Sequence, residues 1–212
     1  MVLLDRLRAS GLRLAVHFAA LLPLLWVLWN YWQGEFLIDP VREITTLTGR
    51  VALILLFLSL ACTPAAVVVG LRQALSFRRM LGIYSFLYVA THFIVFTLLD
   101  YQLDLPLIVQ AVFDQRYIVP GFAAGVLLLV LTLTSTRGSQ KRLGSSWKRV
   151  HRLTYLAAIL AVTHFFWLVK DIRLPLRYAV VLAVLLILRI PWVRTTIRKA
   201  RRRLAYALKG PS

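Results

Sequence analysis

Six long apolar runs constrain the fold of this chain more than any other feature of its sequence. Each run is close to the roughly 20 residues that an α-helix needs to cross a bilayer, and charged residues lie mainly between the runs. The runs cover residues 14–32, 48–66, 80–99, 117–134, 152–169 and 175–192. We therefore predict an all-α fold, a single domain of six transmembrane helices at residues 1–192, followed by a basic tail at 193–212.

The composition agrees with an integral membrane protein. Hydrophobic residues make up 60% of the 212 residues, charged residues 16%, and the mean hydropathy is +0.76, which excludes an ordinary soluble domain. The net charge of +18 could indicate nucleic acid, but the basic residues lie between apolar runs, so we expect no nucleic-acid partner. The single cysteine, Cys62, excludes a disulfide framework, a thiolate zinc site and an iron–sulfur cluster.

The distribution of charge predicts the orientation in the membrane. Most of the 26 Lys and Arg residues lie before the first run, between runs two and three, between runs four and five, and after Leu188, a group that includes Arg189. The opposite side holds most of the acidic residues, namely Glu35, Asp39, Glu43, Asp100, Asp104, Asp114 and Asp171. The positive-inside rule then places both termini in the cytoplasm. The tail at 193–212 either lies on the anionic inner leaflet as a surface helix or serves only as a topological anchor.

Two histidines, His92 and His164, have the same predicted depth in the membrane. His164 lies in the stretch Trp147–Lys170, which we interpret as one transmembrane helix. At about 1.5 Å per residue, both histidines lie roughly 20 Å from the inner boundary. A histidine at this depth needs a specific partner, either a neighbouring helix or a cofactor, and a buried imidazole is the usual axial ligand of a b-type haem. We predict that the two imidazoles hold one haem b in the outer half of the bilayer.

A second site near the inner boundary is a weaker prediction, based on His151. This residue lies about 20 Å inward of the predicted haem, and the matching level of the third helix holds Arg78 and Arg79. His17 in the first helix has a similar inner depth. A pair of His17 and His151 could hold a haem, a quinone or a flavin, or both side chains could lie at the headgroup level without a ligand.

Further basic and aromatic side chains are candidates for binding at the two ends of the bundle. At the inner end, Arg78, Arg79 and Trp147 could bind a quinone oxygen or a flavin phosphate, although the positive-inside rule explains the cations equally well. At the outer end, Arg50 and Lys170 are candidate partners for haem propionates.

Four stretches carry a resemblance to a known family. The chain resembles the MsrQ family, formerly YedZ, within the ferric reductase-like transmembrane superfamily, which includes NADPH oxidases and STEAP proteins. The resemblance covers nearly the whole chain. Its stretches are TGRVALILLFLSLACTP at 48–64, FRRMLGIYSFLYVATH at 77–92, LTLTS at 131–135 and LGSSWKRVHRLTYLAAILAVTHFFWLVK at 143–170.

The resemblance implies a function. Members of this family are haem-binding, multi-pass subunits of the bacterial inner membrane that serve the repair of methionine sulfoxide in periplasmic proteins. By resemblance, electrons pass from the quinone pool to MsrP, a periplasmic molybdopterin enzyme that carries the substrate-reducing site, and a bound FMN is implied. The family's histidines fall on His92, His151 and His164. Only one histidine lies on the third helix, which favours one haem over two.

Two other classes of protein remain as alternatives from the sequence. One is a free-standing transmembrane ferric or cupric reductase, and the other is a small transporter in which the membrane histidines bind protons or metal ions. No glycine-rich dinucleotide fingerprint is present, so an electron-transfer protein of this sequence would take electrons from membrane quinol or a separate flavoprotein.

Overall fold

The computed structural model describes residues 2–35 and 39–209, and within these residues the chain is helical with no strand. A short 3₁₀ turn, Arg72–Ser76, precedes the third helix, and a π-helical turn, Val95–Asp100, continues it. The α-helices are α1 Val2–Gln33, α2 Pro40–Val68, α3 Arg78–Ile94, α4 Leu105–Asp114, α5 Ile118–Leu133, α6 Arg137–Leu143, α7 Ser146–Val150, α8 Leu153–Leu168, α9 Arg173–Ile187 and α10 Pro191–Lys209. The predicted all-α fold is confirmed.

Three helices in the described part of the chain are long and apolar enough to cross a membrane. They are Ser10–Gln33, Pro40–Val68 and Arg78–Asp100. Two further pairs reach the required length only if each is counted as one span, because α4 meets α5 at a bend of 111° and α9 meets α10 at a bend of 74°. The structure thus gives three to five candidate spans by length and composition, and the sequence-based count of six stays a prediction.

The stretch from Trp147 to Lys170 is not one continuous helix. It divides into α7 and α8, which are joined by a turn at His151 and Arg152. Helix α8 has 16 residues, fewer than a straight crossing needs. The apolar pattern could not show this break, because the turn residues continue a sequence that has no proline or glycine there.

Aspartate N-caps and prolines fix where two of the helices begin. The Asp39 carboxylate accepts a hydrogen bond from the backbone N–H of Arg42, and Pro40 is the first residue of α2. The Asp104 carboxylate accepts a hydrogen bond from the Leu107 N–H in the same way at the start of α4. Both caps satisfy a backbone N–H that has no partner within the helix.

The main core lies where α2 packs against α5, α8 and α9. Leu56 and Leu60 of α2 are almost completely buried and belong to one cluster with Leu128 of α5. Ala157 and Ala158 of α8 are fully buried in this cluster. Small side chains allow the backbones of neighbouring helices to approach closely, so these alanines place α8 against its neighbours.

A tyrosine hydroxyl joins α1 to α3 next to a proline. The backbone N–H of Leu24 donates to the Tyr88 hydroxyl at 3.0 Å, and this hydroxyl donates to the Ala20 carbonyl at 2.8 Å. In an uninterrupted helix the Leu24 N–H and the Ala20 C=O would bond directly. Pro23 lies inside α1 at this point. The fully buried Tyr88 therefore supplies both backbone groups with a partner.

Candidate functional site

The structure brings His92 of α3 and His164 of α8 together. Their ring centroids lie 6.2 Å apart, and the two ring planes are nearly perpendicular at 88°. Both side chains are half-buried. The two residues are far apart in sequence, so their proximity depends on the packing of two separate helices.

Backbone carbonyl groups orient both imidazoles. Nδ1 of His92 lies 2.9 Å from the carbonyl oxygen of Thr45, and Nδ1 of His164 lies 2.7 Å from that of Tyr117. A carbonyl oxygen only accepts hydrogen bonds, so Nδ1 carries a hydrogen in each ring, and in the neutral imidazole Nε2 then keeps a lone pair. This arrangement is typical of metal-binding histidines, in which a hydrogen bond from the second nitrogen fixes the tautomer and the ring orientation.

Two glycines make room for the histidine rings. A Cβ on Gly49 of α2 would lie 3.2 Å from Nδ1 and Cε1 of His92. A Cβ on Gly121 of α5 would lie 2.8 Å from Cε1 of His164 and closer still to its Nδ1. Each ring thus lies directly against the backbone of a neighbouring helix, and the fit at Gly121 is the tighter one.

The two histidines have equivalent surroundings, which we call the half-sites: Thr45, Gly49 and His92 form one, and Tyr117, Gly121 and His164 form the other. In each half-site, the acceptor carbonyl lies 47 residues before the histidine, and the glycine lies one helical turn after the acceptor. Each histidine is also part of a Thr-His-Phe triplet. The glycines were missed in the sequence analysis, although this repeated spacing could have identified them.

The separation of the half-sites fits one metal ion between the two rings. A bond from an imidazole nitrogen to a transition metal is about 2 Å long, so two imidazoles on opposite sides of one metal have centroids about 6 Å apart. The observed 6.2 Å matches this distance. Two histidines supply only two ligands, so a metal with more coordination positions would need a cofactor that brings its own ligand atoms.

The predicted inner site contains two of its proposed members in direct contact. The rings of Trp147 and His151 stack, with centroids 4.0 Å apart. Nε2 of His151 lies 3.3 Å from Oγ1 of Thr134, and the Trp147 indole N–H donates to the Thr134 carbonyl at 3.0 Å. The end of α5 therefore holds both rings in place.

Of the other proposed members of the inner site, Arg78 lies close enough to His151 for its charge to act on the imidazole. The carbonyl of Arg78 accepts a hydrogen bond from the Ser59 hydroxyl, and the Arg79 side chain is exposed. Nδ1 of His17 lies 2.7 Å from the Tyr84 hydroxyl, and this histidine is exposed. The partner found for His17 is thus a tyrosine of α3. A ligand shared by His17 and His151 stays a prediction.

The two candidate propionate partners are exposed. Arg50 follows Gly49 directly and lines a cavity of about 660 Å³ beside α2, together with Trp26 of α1 and Arg42. Lys170 follows the end of α8. Their proposed role toward a haem stays a prediction.

The sequence analysis missed Arg189, which it counted among the cations of the inner side. Its guanidinium donates to the Tyr155 hydroxyl at 2.8 Å and to the Leu60 carbonyl at 2.6 Å, and it lies over the Tyr155 ring at 5.2 Å. The cation therefore links the end of α9 to α2 and α8. Counting charges could not show this, because it treats every cation at a helix end as a contact with water or lipid.

Comparison with known proteins identifies the family. The model of the family described as ferric reductase like transmembrane component matches residues 48–162. The curated protein-methionine-sulfoxide reductase heme-binding subunits MsrQ of Xanthomonas euvesicatoria pv. vesicatoria (strain 85-10) and Xanthomonas axonopodis pv. citri (strain 306) are each 43% identical to the chain over 195 residues, which is 89% of both sequences. The match to the family model includes Gly49, His92, Tyr117 and Gly121, whereas Thr45 and His164 lie just outside it. The chain therefore belongs to the MsrQ family of ferric reductase-like transmembrane proteins.

Proposed function

We propose that the chain is the haem-binding membrane subunit of a bacterial system that reduces methionine sulfoxide in periplasmic proteins. In this proposal, His92 and His164 hold one haem b, and the chain carries electrons from the quinone pool across the inner membrane to the periplasmic molybdopterin subunit MsrP. The MsrQ relatives are named as heme-binding subunits of a protein-methionine-sulfoxide reductase, which supports the haem and the reductase system. The quinone donor, the bound FMN and the identity of the partner come from the family resemblance.

The geometry of the histidine pair is the observation on which the proposal depends. Two neutral imidazoles from different helices lie at the separation that one metal ion requires, and each keeps Nε2 available for coordination. A haem held by His92 and His164 would supply one-electron transfer and would leave no position for oxygen to bind. A catalytic metal site, in contrast, would keep one position open for its substrate.

The chain's own residues would act by fixing the ligands. The carbonyl groups of Thr45 and Tyr117 accept the Nδ1 hydrogens, which holds each ring in one tautomer and one orientation. Gly49 and Gly121 keep each ring against its neighbouring helix. Rigid ligands need little rearrangement when the charge on the metal changes, which suits electron transfer.

We also propose the membrane topology that the sequence predicts. Residues 1–192 form one haem domain that crosses the inner membrane six times, and 193–212 form a basic cytoplasmic tail, with both termini in the cytoplasm. The separation of basic and acidic residues onto opposite ends supports this orientation. In this arrangement α8 and α9 each cross the bilayer, and the short α8 is completed by α7.

Absorption spectroscopy of the purified chain tests the proposal. We expect a six-coordinate, low-spin b-type spectrum from the wild type and its loss in both His92→Ala and His164→Ala. The variant His151→Ala is the matched control, because it removes an imidazole outside the pair. It should keep most of the haem and be reduced more slowly by the electron donor. Equal loss of haem in all three variants would contradict the assignment to one pair.

A second measurement separates the proposed function from a free-standing metal reductase. The purified chain, reduced by a quinol analogue, should be reoxidised rapidly by purified MsrP with methionine sulfoxide present. Iron chelates without MsrP should reoxidise it slowly. Rapid reduction of iron chelates, with no effect of MsrP, would support the metal reductase instead.

A further inference from the structure

Four arginines surround a cavity at the end of the bundle where α2 ends and α10 begins. The cavity has a volume of about 430 Å³, and its basic lining consists of Arg72, Arg194, Arg198 and Arg201. The last three are spaced along α10 by four and three residues, which places them on one face of that helix. Arg72 faces them from the 3₁₀ turn. The fold therefore gathers cations from two separate segments around one space.

This concentration of positive charge has no acidic counterpart. Among the described residues that line the cavity, none is Asp or Glu. Positive charges that line one cavity repel one another, and salt screens this repulsion incompletely at distances below about 8 Å. A bound anion would remove the repulsion, and it would have to come from outside the lining.

Two residues of the cavity lining each hold a buried polar atom that lacks a partner in the described part of the chain. These atoms are the hydroxyl oxygen of Thr63 and Nε of Arg194. Buried polar groups are normally hydrogen-bonded, so two unpaired donors in residues of one cavity lining favour a ligand that reaches them. A hydroxyl and a guanidinium N–H both donate hydrogen bonds, and the oxygen atoms of an anion would accept from both.

One of the arginines is held in place by the backbone of the α2 end. Nη1 of Arg201 donates to the Val67 carbonyl at 3.2 Å. Gly70 has φ of +88°, and a Cβ there would lie 2.8 Å from the same nitrogen. Only glycine combines this backbone conformation with so close an approach. A guanidinium has five N–H donors, so Arg201 keeps others for a ligand.

We propose that this cavity, which we call the arginine pocket, binds a phosphate group. The phosphate belongs either to the headgroup of an anionic phospholipid or to a soluble phosphate ester such as a mononucleotide. The planar guanidinium fork of arginine matches the oxygens of phosphate, and basic pockets between membrane helices are known to bind lipid headgroups. The volume of the cavity lies in the range of small-ligand sites. The inference is independent of the proposed haem.

Binding to the purified full-length chain in detergent tests the pocket. The probes are phosphatidylglycerol, phosphatidylcholine, FMN and inorganic phosphate, with lipids followed by native mass spectrometry and FMN by its fluorescence. We expect the triple variant Arg194→Gln, Arg198→Gln, Arg201→Gln to bind the preferred probe at least about tenfold more weakly than the wild type. The single variant Arg198→Gln, whose side chain is exposed, tests the same site if the triple variant does not fold.

The matched control removes the same charge from another basic segment. The triple variant Arg137→Gln, Lys141→Gln, Arg142→Gln changes three exposed cations of α6 and should bind each probe as the wild type does. Selective loss of phosphatidylglycerol in the pocket variant supports the lipid as source, and selective loss of FMN or inorganic phosphate supports the soluble ester. Equal weakening in both triple variants would overturn the proposal, as would a wild type that binds none of the probes. Haem absorbance of the same samples reports separately on the histidine pair.

Discussion

Replacing Gly121 by alanine gives a sharp test of how the site is built. The added Cβ would lie 2.8 Å from Cε1 of His164 and closer still to Nδ1, and separations below 3.0 Å require one group to move. The ring cannot move away from α5 without lengthening its hydrogen bond to the Tyr117 carbonyl, which is now 2.7 Å. We therefore expect Gly121→Ala to displace the His164 ring.

The opposing effects can be compared in size. Alanine is favoured over glycine inside a helix by about 1 kcal/mol. Leaving a buried donor or acceptor without its partner costs about 1–3 kcal/mol, so the stability of the apoprotein should change by no more than about 2 kcal/mol in either direction. Loss of the hydrogen bond that orients a metal-bound histidine typically lowers metal affinity about 10–100-fold. That loss corresponds to about 1.4–2.7 kcal/mol, which is similar to the largest effect expected on folding, so haem affinity and stability should be measured separately.

Two other glycines provide graded controls. In Gly49→Ala the Cβ would lie 3.2 Å from the His92 ring, which requires a shift of only a few tenths of an ångström. In Gly82→Ala the Cβ would lie 3.6 Å from the Ser59 hydroxyl, an ordinary contact. Haem affinity, measured by titration of the apoprotein, should fall at least about tenfold in Gly121→Ala, less in Gly49→Ala and not at all in Gly82→Ala. If Gly121→Ala bound haem as well as Gly82→Ala does, the close contact would not position the histidine.

Two further predictions concern the bundle around the site. Tyr88→Phe removes the hydroxyl that bonds the Leu24 N–H and the Ala20 carbonyl. It should lower the free energy of unfolding by about 1–3 kcal/mol, measured by denaturation in detergent. The control Tyr84→Phe should cost less than about 1 kcal/mol, because the Tyr84 hydroxyl bonds the exposed His17. Arg189→Met should be tolerated better than Arg189→Ala by at least about 1 kcal/mol in the same assay. Methionine keeps the packing while removing a cation whose Nε has no partner among the described residues. Equal losses in the two variants would contradict this.

The sequence predicted the proximity of His92 and His164 because depth in a membrane helix follows from the rise per residue alone. It did not predict the bends, since an apolar run records how many residues are buried in lipid but not the direction in which the helix runs. The run at 117–134 appears as α5, and the 111° bend before it depends on the short helix α4. The end of the run at 175–192 likewise turns by 74° into α10.

The side chains that the sequence could not assign are those whose role depends on a neighbour distant in the chain. By its position in the sequence, Arg189 is one of the cations that the positive-inside rule explains. Only the fold shows that it contacts the Leu60 carbonyl and Tyr155. In the sequence, Thr134 is a polar residue in an apolar run, and only the fold shows that His151 and Trp147 contact it. Such contacts join separate helices, so no local pattern of residues records them.

The repeated construction of the half-sites explains how two histidines so far apart in sequence acquire matching environments. Helix α2 packs on α3 and helix α5 packs on α8, and in both pairs the first helix supplies a carbonyl and a glycine to the histidine of the second. Each ring is therefore oriented within its own helix pair, whatever the other pair does. The separation of the rings is a different property, set where the two pairs meet, at the contact of α3 with α5 and in the core that contains Leu60 and Ala158. Because orientation and separation depend on different residues, a change in the core can spread the imidazoles while leaving both Nδ1 hydrogen bonds intact.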